Sequence, residues 1–99
     1  MKFALKPVLP PETASLTPEQ RRFLSEAASR LQPGMGAEAI HREIYALAGE
    51  MAPLKPAEAF EAIYLALLGT RRGPRVGWFL AFLDHGFVTG RFREASRLS

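Results

Sequence analysis

Apolar residues recur at intervals of three and four along most of this chain, the spacing that turns one face of a helix inward. Phe23, Leu24, Ala27, Ala28 and Leu31 form the first such stripe. Thr17 is placed to cap it, Pro18 suits the first helical position, and Gln20 completes a capping box. Pro33, Gly34 and Gly36 stop it. A second helix is predicted from about Ala37 to Met51, with Ile40, Ile44, Leu47, Ala48 and Met51 inward and an Glu38–Arg42 pair outside. A third runs from Pro56 to about Leu68. Phe60, Ile63, Tyr64, Leu67 and Leu68 lie on one side, and Ala57, Ala59, Ala62, Leu65 and Ala66 cover much of the rest. A helix apolar over most of its girth is a central one. Gly69 is a fitting stop.

After a basic turn, a fourth helix is predicted from Pro74 to about Asp84, with Val76, Phe79, Leu80 and Leu83 inward and Trp78 and Phe82 to one side. Gly86 is read as its end and His85 as a cation in its last turn. A short last helix, from about Phe87 or Thr89 to Arg97, carries Val88, Phe92 and Ala95. Residues 1–16 hold Pro7, Pro10 and Pro11, so they are read as an extended arm. No stretch alternates as a strand does, and no segment is of low complexity. The 44–49 and 63–69 stretches echo each other weakly, as Ala-rich helices do. The fold class is therefore all-α: a single irregular bundle of four to five helices with an extended Pro-rich N-terminal arm. The domains are an arm over 1–16 and a helical body over 17–99.

A chain of 99 residues makes one domain with one modest core. It has no cysteine, which excludes disulfides, thiolate metal sites and cysteine nucleophiles. No run of about 18 apolar residues exists to span a membrane, and the proline-broken start is not a secretory signal. A cytoplasmic protein is expected. Charge is unevenly placed. The net charge is +3, but residues 1–66 carry seven Lys/Arg against eight Glu, and residues 67–99 six Arg against Asp84 and Glu94. A basic end sits on a near-neutral body.

Catalytic signatures are missing. There is no phosphate loop ending in Gly-Lys-Ser/Thr and no Gly-x-Ser-x-Gly elbow. His41 and His85 are the only imidazoles and stand far apart, so a His-Glu-x-x-His zinc site is excluded. No cofactor or metal is expected. His41 reads as a partly exposed helix residue, and Glu58 and Glu61 as a solvated face.

One turn stands out: Gly69-Thr70-Arg71-Arg72-Gly73-Pro74-Arg75-Val76-Gly77. Two readings of it stand side by side. In one it is a phosphate site: the unsatisfied amides opening the fourth helix, Arg71, Arg72 and Arg75 beside them, and Trp78 as a stacking face for an unpaired base. Arg91, Arg93 and Arg97 then extend the basic surface. In the other it is only a sharp connection. Arg71 and Arg72 cap the carbonyls ending the third helix, Arg75 pairs with Glu58 or Glu61, and Trp78 is core.

The run from Ala59 through Gly69-Thr70-Arg71-Arg72-Gly73-Pro74-Arg75-Val76-Gly77 to Phe79 resembles the C-terminal end of class I lysyl-tRNA synthetases. There, an aromatic-rich helix ends in Leu-Gly, a basic Arg-Gly-Pro-Arg-x-Gly turn follows, and an aromatic helix comes next. The likeness continues through Leu83-Asp84, Phe87-Val88 and Arg91 to Ala95, and upstream at His41 to Tyr45 and Leu54-Lys55-Pro56, so it covers roughly residues 17–97. The resemblance implies a helical domain that contacts the anticodon end of tRNA. It implies no catalysis, because the family's His-x-Gly-His and Lys-Met-Ser-Lys-Ser type motifs are absent. The start at Met1 and the tail to Ser99 favour a free-standing relative of that domain over a fragment. Contact residues carried over are Arg71, Arg72, Arg75 and Trp78. The function expected is a non-catalytic tRNA- or RNA-binding module. The alternative is a protein-interaction or homodimerisation domain, with a synthetase or a second copy as its partner, that keeps the fold without RNA.

Overall fold

In a computed structural model, residues 4–97 are described, and they contain helices and no strands. The outermost residues of the expected arm (1–3) and of the expected body (98–99) lie outside the described residues. Five α-helices follow a short 3-10 helix at Pro11–Ser15: α1 (Pro18–Arg30), α2 (Ala37–Glu50), α3 (Pro56–Leu68), α4 (Val76–Phe82) and α5 (His85–Arg97). The all-helical fold read from the periodicity is the one observed.

The predicted capping box is present at α1. Thr17 Oγ1 accepts from Gln20 N at 3.0 Å, and Thr17 N donates to Gln20 Oε1 at 2.9 Å. The Gln20 amide then donates onward to the Glu58 carbonyl at 2.9 Å, so one residue both starts α1 and ties it to α3. α1 packs most extensively on α5, and α2 on α4. α3 is the central helix its girth predicted: Ala59, Ala62, Ile63, Leu65, Ala66, Leu67 and Leu68 are all buried. Phe23 of α1, Ile44 and Leu47 of α2 and Phe92 of α5 complete the fully buried centre.

The second half of the chain departs from the predicted boundaries. α4 begins at Val76 rather than Pro74 and ends at Phe82, because Leu83 is extended (φ −91°, ψ 155°). Asp84, expected to close α4, instead opens α5: its Oδ2 accepts from Phe87 N at 2.9 Å. A carboxylate is favoured at such a cap. Gly86 is therefore no terminator but lies in the first turn of α5. His85 does not serve α4 either. Its Nε2 lies 2.9 Å from the Leu31 carbonyl. A carbonyl only accepts, so Nε2 carries the proton, and the ring closes the C-terminal end of α1. On α2, the pair expected between Glu38 and Arg42 is not among the ion pairs of the described residues. Arg30 holds Glu43 and Glu50 instead.

The arm is not extended throughout. Pro11–Ser15 makes a 3-10 turn in which Thr13 is fully buried and donates to the Pro10 carbonyl at 2.7 Å. Arg21 reaches from α1 to the carbonyls of Thr13 (3.0 Å) and Ala95 (2.9 Å).

The C-terminal end of α3 shows how the pieces are joined. A helix leaves its last four carbonyls without intrahelical partners. Here Gly69 N, in the left-handed conformation (φ 72°), donates to the carbonyls of Tyr64 and Leu65. Arg91 Nη1 donates to Ala66 O at 2.9 Å, and Lys6 N to Leu67 O at 3.0 Å. Arg91 Nη2 also donates to Lys6 O at 2.8 Å. Arg91, expected to extend the basic surface, is 5% exposed and serves the fold. Its charge is offset by Glu94, 3.6 Å away, and by the Phe87 ring, 4.9 Å from ring centroid to guanidinium carbon.

Replacing Arg91 with Leu leaves the Ala66 and Lys6 carbonyls without partners. Hydrogen bonds to charged groups are worth about 1.5–3 kcal/mol each, so with two such bonds lost urea unfolding of Arg91→Leu is expected to show a loss of about 3–6 kcal/mol. Arg91→Lys should recover only part, since an ammonium cannot span both carbonyls as the planar fork does.

Candidate nucleic-acid interface

The basic turn is built as a rigid elbow, and each of its three glycines has a physical reason. Gly69 takes the positive φ that ends α3. Gly73 lies flat against the Tyr64 ring, where a Cβ would overlap Cδ1 and Cε1. Gly77 lies against the first turn of α2, where a Cβ would overlap the Ala37 carbonyl. The Tyr64 hydroxyl donates to the Pro74 carbonyl at 2.5 Å, clamping the turn from beneath. Burial raises the Tyr64 phenol above its ordinary value, so it stays a donor through neutral pH.

The elbow sends its cations in different directions. Arg71 pairs with Glu61 at 2.8 Å, across the exposed edge of α3. It faces the side of the 3-10 helix, bordering a hollow with Pro11, Glu12 and Thr70. The capping role considered for Arg71 and Arg72 at the end of α3 is taken by Arg91 and Lys6. The Arg72 side chain is exposed, and its backbone carbonyl accepts from Thr70 Oγ1 at 2.7 Å. Arg75 is exposed and pairs with neither Glu58 nor Glu61 among the described residues.

Arg75 and Trp78 do come together, as lining of a groove of about 440 Å³ between α2, α3 and α4. Phe60 and Tyr64 of α3 supply its apolar wall, and α2 contributes Glu38, His41 and Arg42. Trp78 is 59% exposed, and Phe82, one turn on, is 82% exposed. The reading of Trp78 as core is therefore overturned. The aromatic wall continues beyond the groove. The His41 and Tyr45 rings are 4.5 Å apart, and Tyr45 meets Phe60 edge-on at 5.1 Å. The first turn of α4 faces α2: Val76 and Gly77 are buried. An anion here meets the arginine side chains rather than an open helix end.

Sequence reasoning singled out Arg75 and Trp78 but missed the α2 side of the groove. Glu38, His41 and Arg42 look like an ordinary solvated face until α4 is folded beside them. The available signal was Gly77, whose missing side chain lets α4 approach α2 so closely.

No family model matches the chain. Individual proteins do. Over 99% of its length it is 35% identical to a lysine–tRNA ligase of Methanosarcina barkeri (strain Fusaro), covering 21% of that protein. It is 40% identical over 84% of its length to a lysine–tRNA ligase of Archaeoglobus fulgidus, covering 17% of it. A lysine–tRNA ligase of Methanocaldococcus jannaschii is 37% identical over 78% of the chain. The chain thus spans about a fifth of the length of the curated relatives it matches. The synthetase resemblance drawn from the turn and its flanking helices is borne out: this is a helical domain similar to a segment of archaeal lysyl-tRNA synthetases. Among the described residues, no cluster of His, Asp or Glu is arranged to hold a metal, and no helix is long and apolar enough to cross a membrane.

Two substitutions test the elbow. Gly77→Ala forces a methyl against the α2 backbone, and overpacking of this kind costs about 1–3 kcal/mol, measurable by thermal or urea unfolding. Tyr64→Phe removes one hydrogen bond, a loss of about 0.5–1.5 kcal/mol. Because the folded state holds the Tyr64 proton more tightly than the unfolded chain does, its contribution is full below a tyrosine's ordinary value of about 10 and fades as pH rises through the folded value. The two proteins' stabilities should therefore converge at high pH.

Proposed function

We propose that this chain is a non-catalytic RNA-binding module with tRNA as its ligand, acting in the cytoplasm and needing no cofactor. The contact surface is the elbow: Arg71, Arg72 and Arg75 toward phosphates, and Trp78 toward an unpaired base. The observation that carries this reading is the shared groove. An exposed tryptophan and Arg75 line one groove with Arg42, beside a rigid turn, so the backbone positions that carry the cationic and stacking groups are set before any ligand arrives. The similarity to lysine–tRNA ligases supplies tRNA as the candidate. Their catalytic signatures have no counterpart in these residues, and the similarity covers only a small part of the relatives, so the whole enzyme's activity is not assigned to this domain. In this reading residues 17–99 are the module and 1–16 its arm. Arg71 contributes least, because Glu61 already engages it.

A second reading rests on Phe82. At 82% exposed beside Trp78, it makes an apolar patch of the kind found at protein interfaces. In that case the domain pairs with a synthetase or with a second copy of itself. Light scattering at two concentrations separates a dimer from a monomer.

Titration of tRNA at low and moderate salt tests the first reading. Affinity should fall steeply with salt. Arg72→Ala and Arg75→Ala should each weaken binding and lower the salt slope by about one. Unchanged affinity in both variants overturns the site, and no binding by the unaltered protein at low salt overturns the class.

A further inference from the structure

Glu38 is out of place in a surface meant only for phosphates. It is exposed in the first turn of α2, lines the groove with Arg42 and Arg75, and forms no ion pair among the described residues. An ionised carboxylate is acceptor-only. Water and the helix N-terminus satisfy it in the free protein, but it repels a phosphate, and a ligand that covers it must supply a donor in exchange for the water. In an RNA the donors near an unpaired base are the N–H groups of its pairing edge.

Building on the RNA-binding reading above, we propose that the groove between α2, α3 and α4 holds a single unpaired guanine. Trp78 stacks on its face, Glu38 accepts from its N1–H and N2–H groups, and Arg42 and Arg75 meet the flanking phosphates. Guanine presents two adjacent N–H donors on one edge, matched to the two oxygens of one carboxylate. Adenine and cytosine offer an amino group next to a ring acceptor, which the carboxylate repels, and uracil offers a single N–H. The volume, about 440 Å³, is in the range of clefts that take small planar ligands, roughly 300–1,000 Å³. Charge is complementary in both senses: one acceptor for the base edge and two cations for the backbone. No core residue has to move, because the Trp78 face is already exposed.

Trp78 is the only tryptophan in the chain, so its fluorescence reports on this groove alone. The full chain is titrated at low salt with the RNA pentamers UUGUU, UUAUU, UUCUU and UUUUU, and separately with tRNA. UUGUU should quench Trp78 and bind about tenfold more tightly than the others, the scale of one good bidentate base contact. Glu38→Gln, at an exposed position whose fold is checked by circular dichroism, should bring the four pentamers within about twofold of each other. Arg42→Ala should weaken all four while keeping their order. Equal binding of the four, or a guanine preference that survives Glu38→Gln, overturns the proposal. If tRNA binds through Arg75 but no pentamer quenches Trp78, the guanine site falls and the broader RNA reading stands. If tRNA does not bind either, both fall.

Discussion

The guanidinium of Arg91 joins three parts of the chain: α5, the end of α3 and the arm. From α5 it donates to the last turn of α3 and to the backbone of the arm at Lys6. Lys6 in turn donates to the next carbonyl of α3. Carbonyls at a helix end must find partners or stay hydrated, and the end of α3 lies deep in a small protein. A planar cation with two parallel donors answers both carbonyls at once. Its own charge is tolerable because Glu94 and the Phe87 ring lie against it. The elbow after Gly69 starts from that fixed point, so the direction in which the chain leaves α3 follows from it.

From there the elbow acts as a spacer of set geometry. Tyr64 holds Pro74, Gly73 rests on the Tyr64 ring, and Gly77 lets α4 lie against α2. The architectural and ligand-binding accounts of the turn are therefore not rivals. A turn fixed at three glycines and one tyrosine keeps Arg75 and Trp78 in place relative to α2, and a binding surface gains from that fixity because less ordering is lost on association. What the turn does not do is present one continuous basic face. Arg71 is engaged by Glu61 on another side, and Arg91 is withdrawn into the core.

Much of the fold was legible in the pattern of residues. The α1 capping box, the proline-led start of α3, its all-round apolar girth and its Gly69 stop each have a local cause, and local causes can be read from a linear sequence. The departures were the 3-10 turn within the arm, the later start of α4 and, most of all, residues 82–89. Asp84-His85-Gly86 reads equally as the end of one helix or the start of the next, since a carboxylate caps a start and a glycine often marks an end. The choice fell to Leu83, whose extended backbone lets it lie partly buried against the core, and to His85, whose proton closes α1.

The sequence by itself determined the helical content, the central place of α3, the position of the turn and the likeness to a segment of lysyl-tRNA synthetases. These rest on periodicity, capping and motif, all of which act between residues a few positions apart. Tertiary structure alone decided which arginines are free and which are structural, that Trp78 is outside the core, and that Glu38 and Arg42 share its groove. A charged side chain's role depends on what lies opposite it. For Arg91 that is a pair of carbonyls 25 and 85 positions away along the chain, beyond the reach of any local pattern.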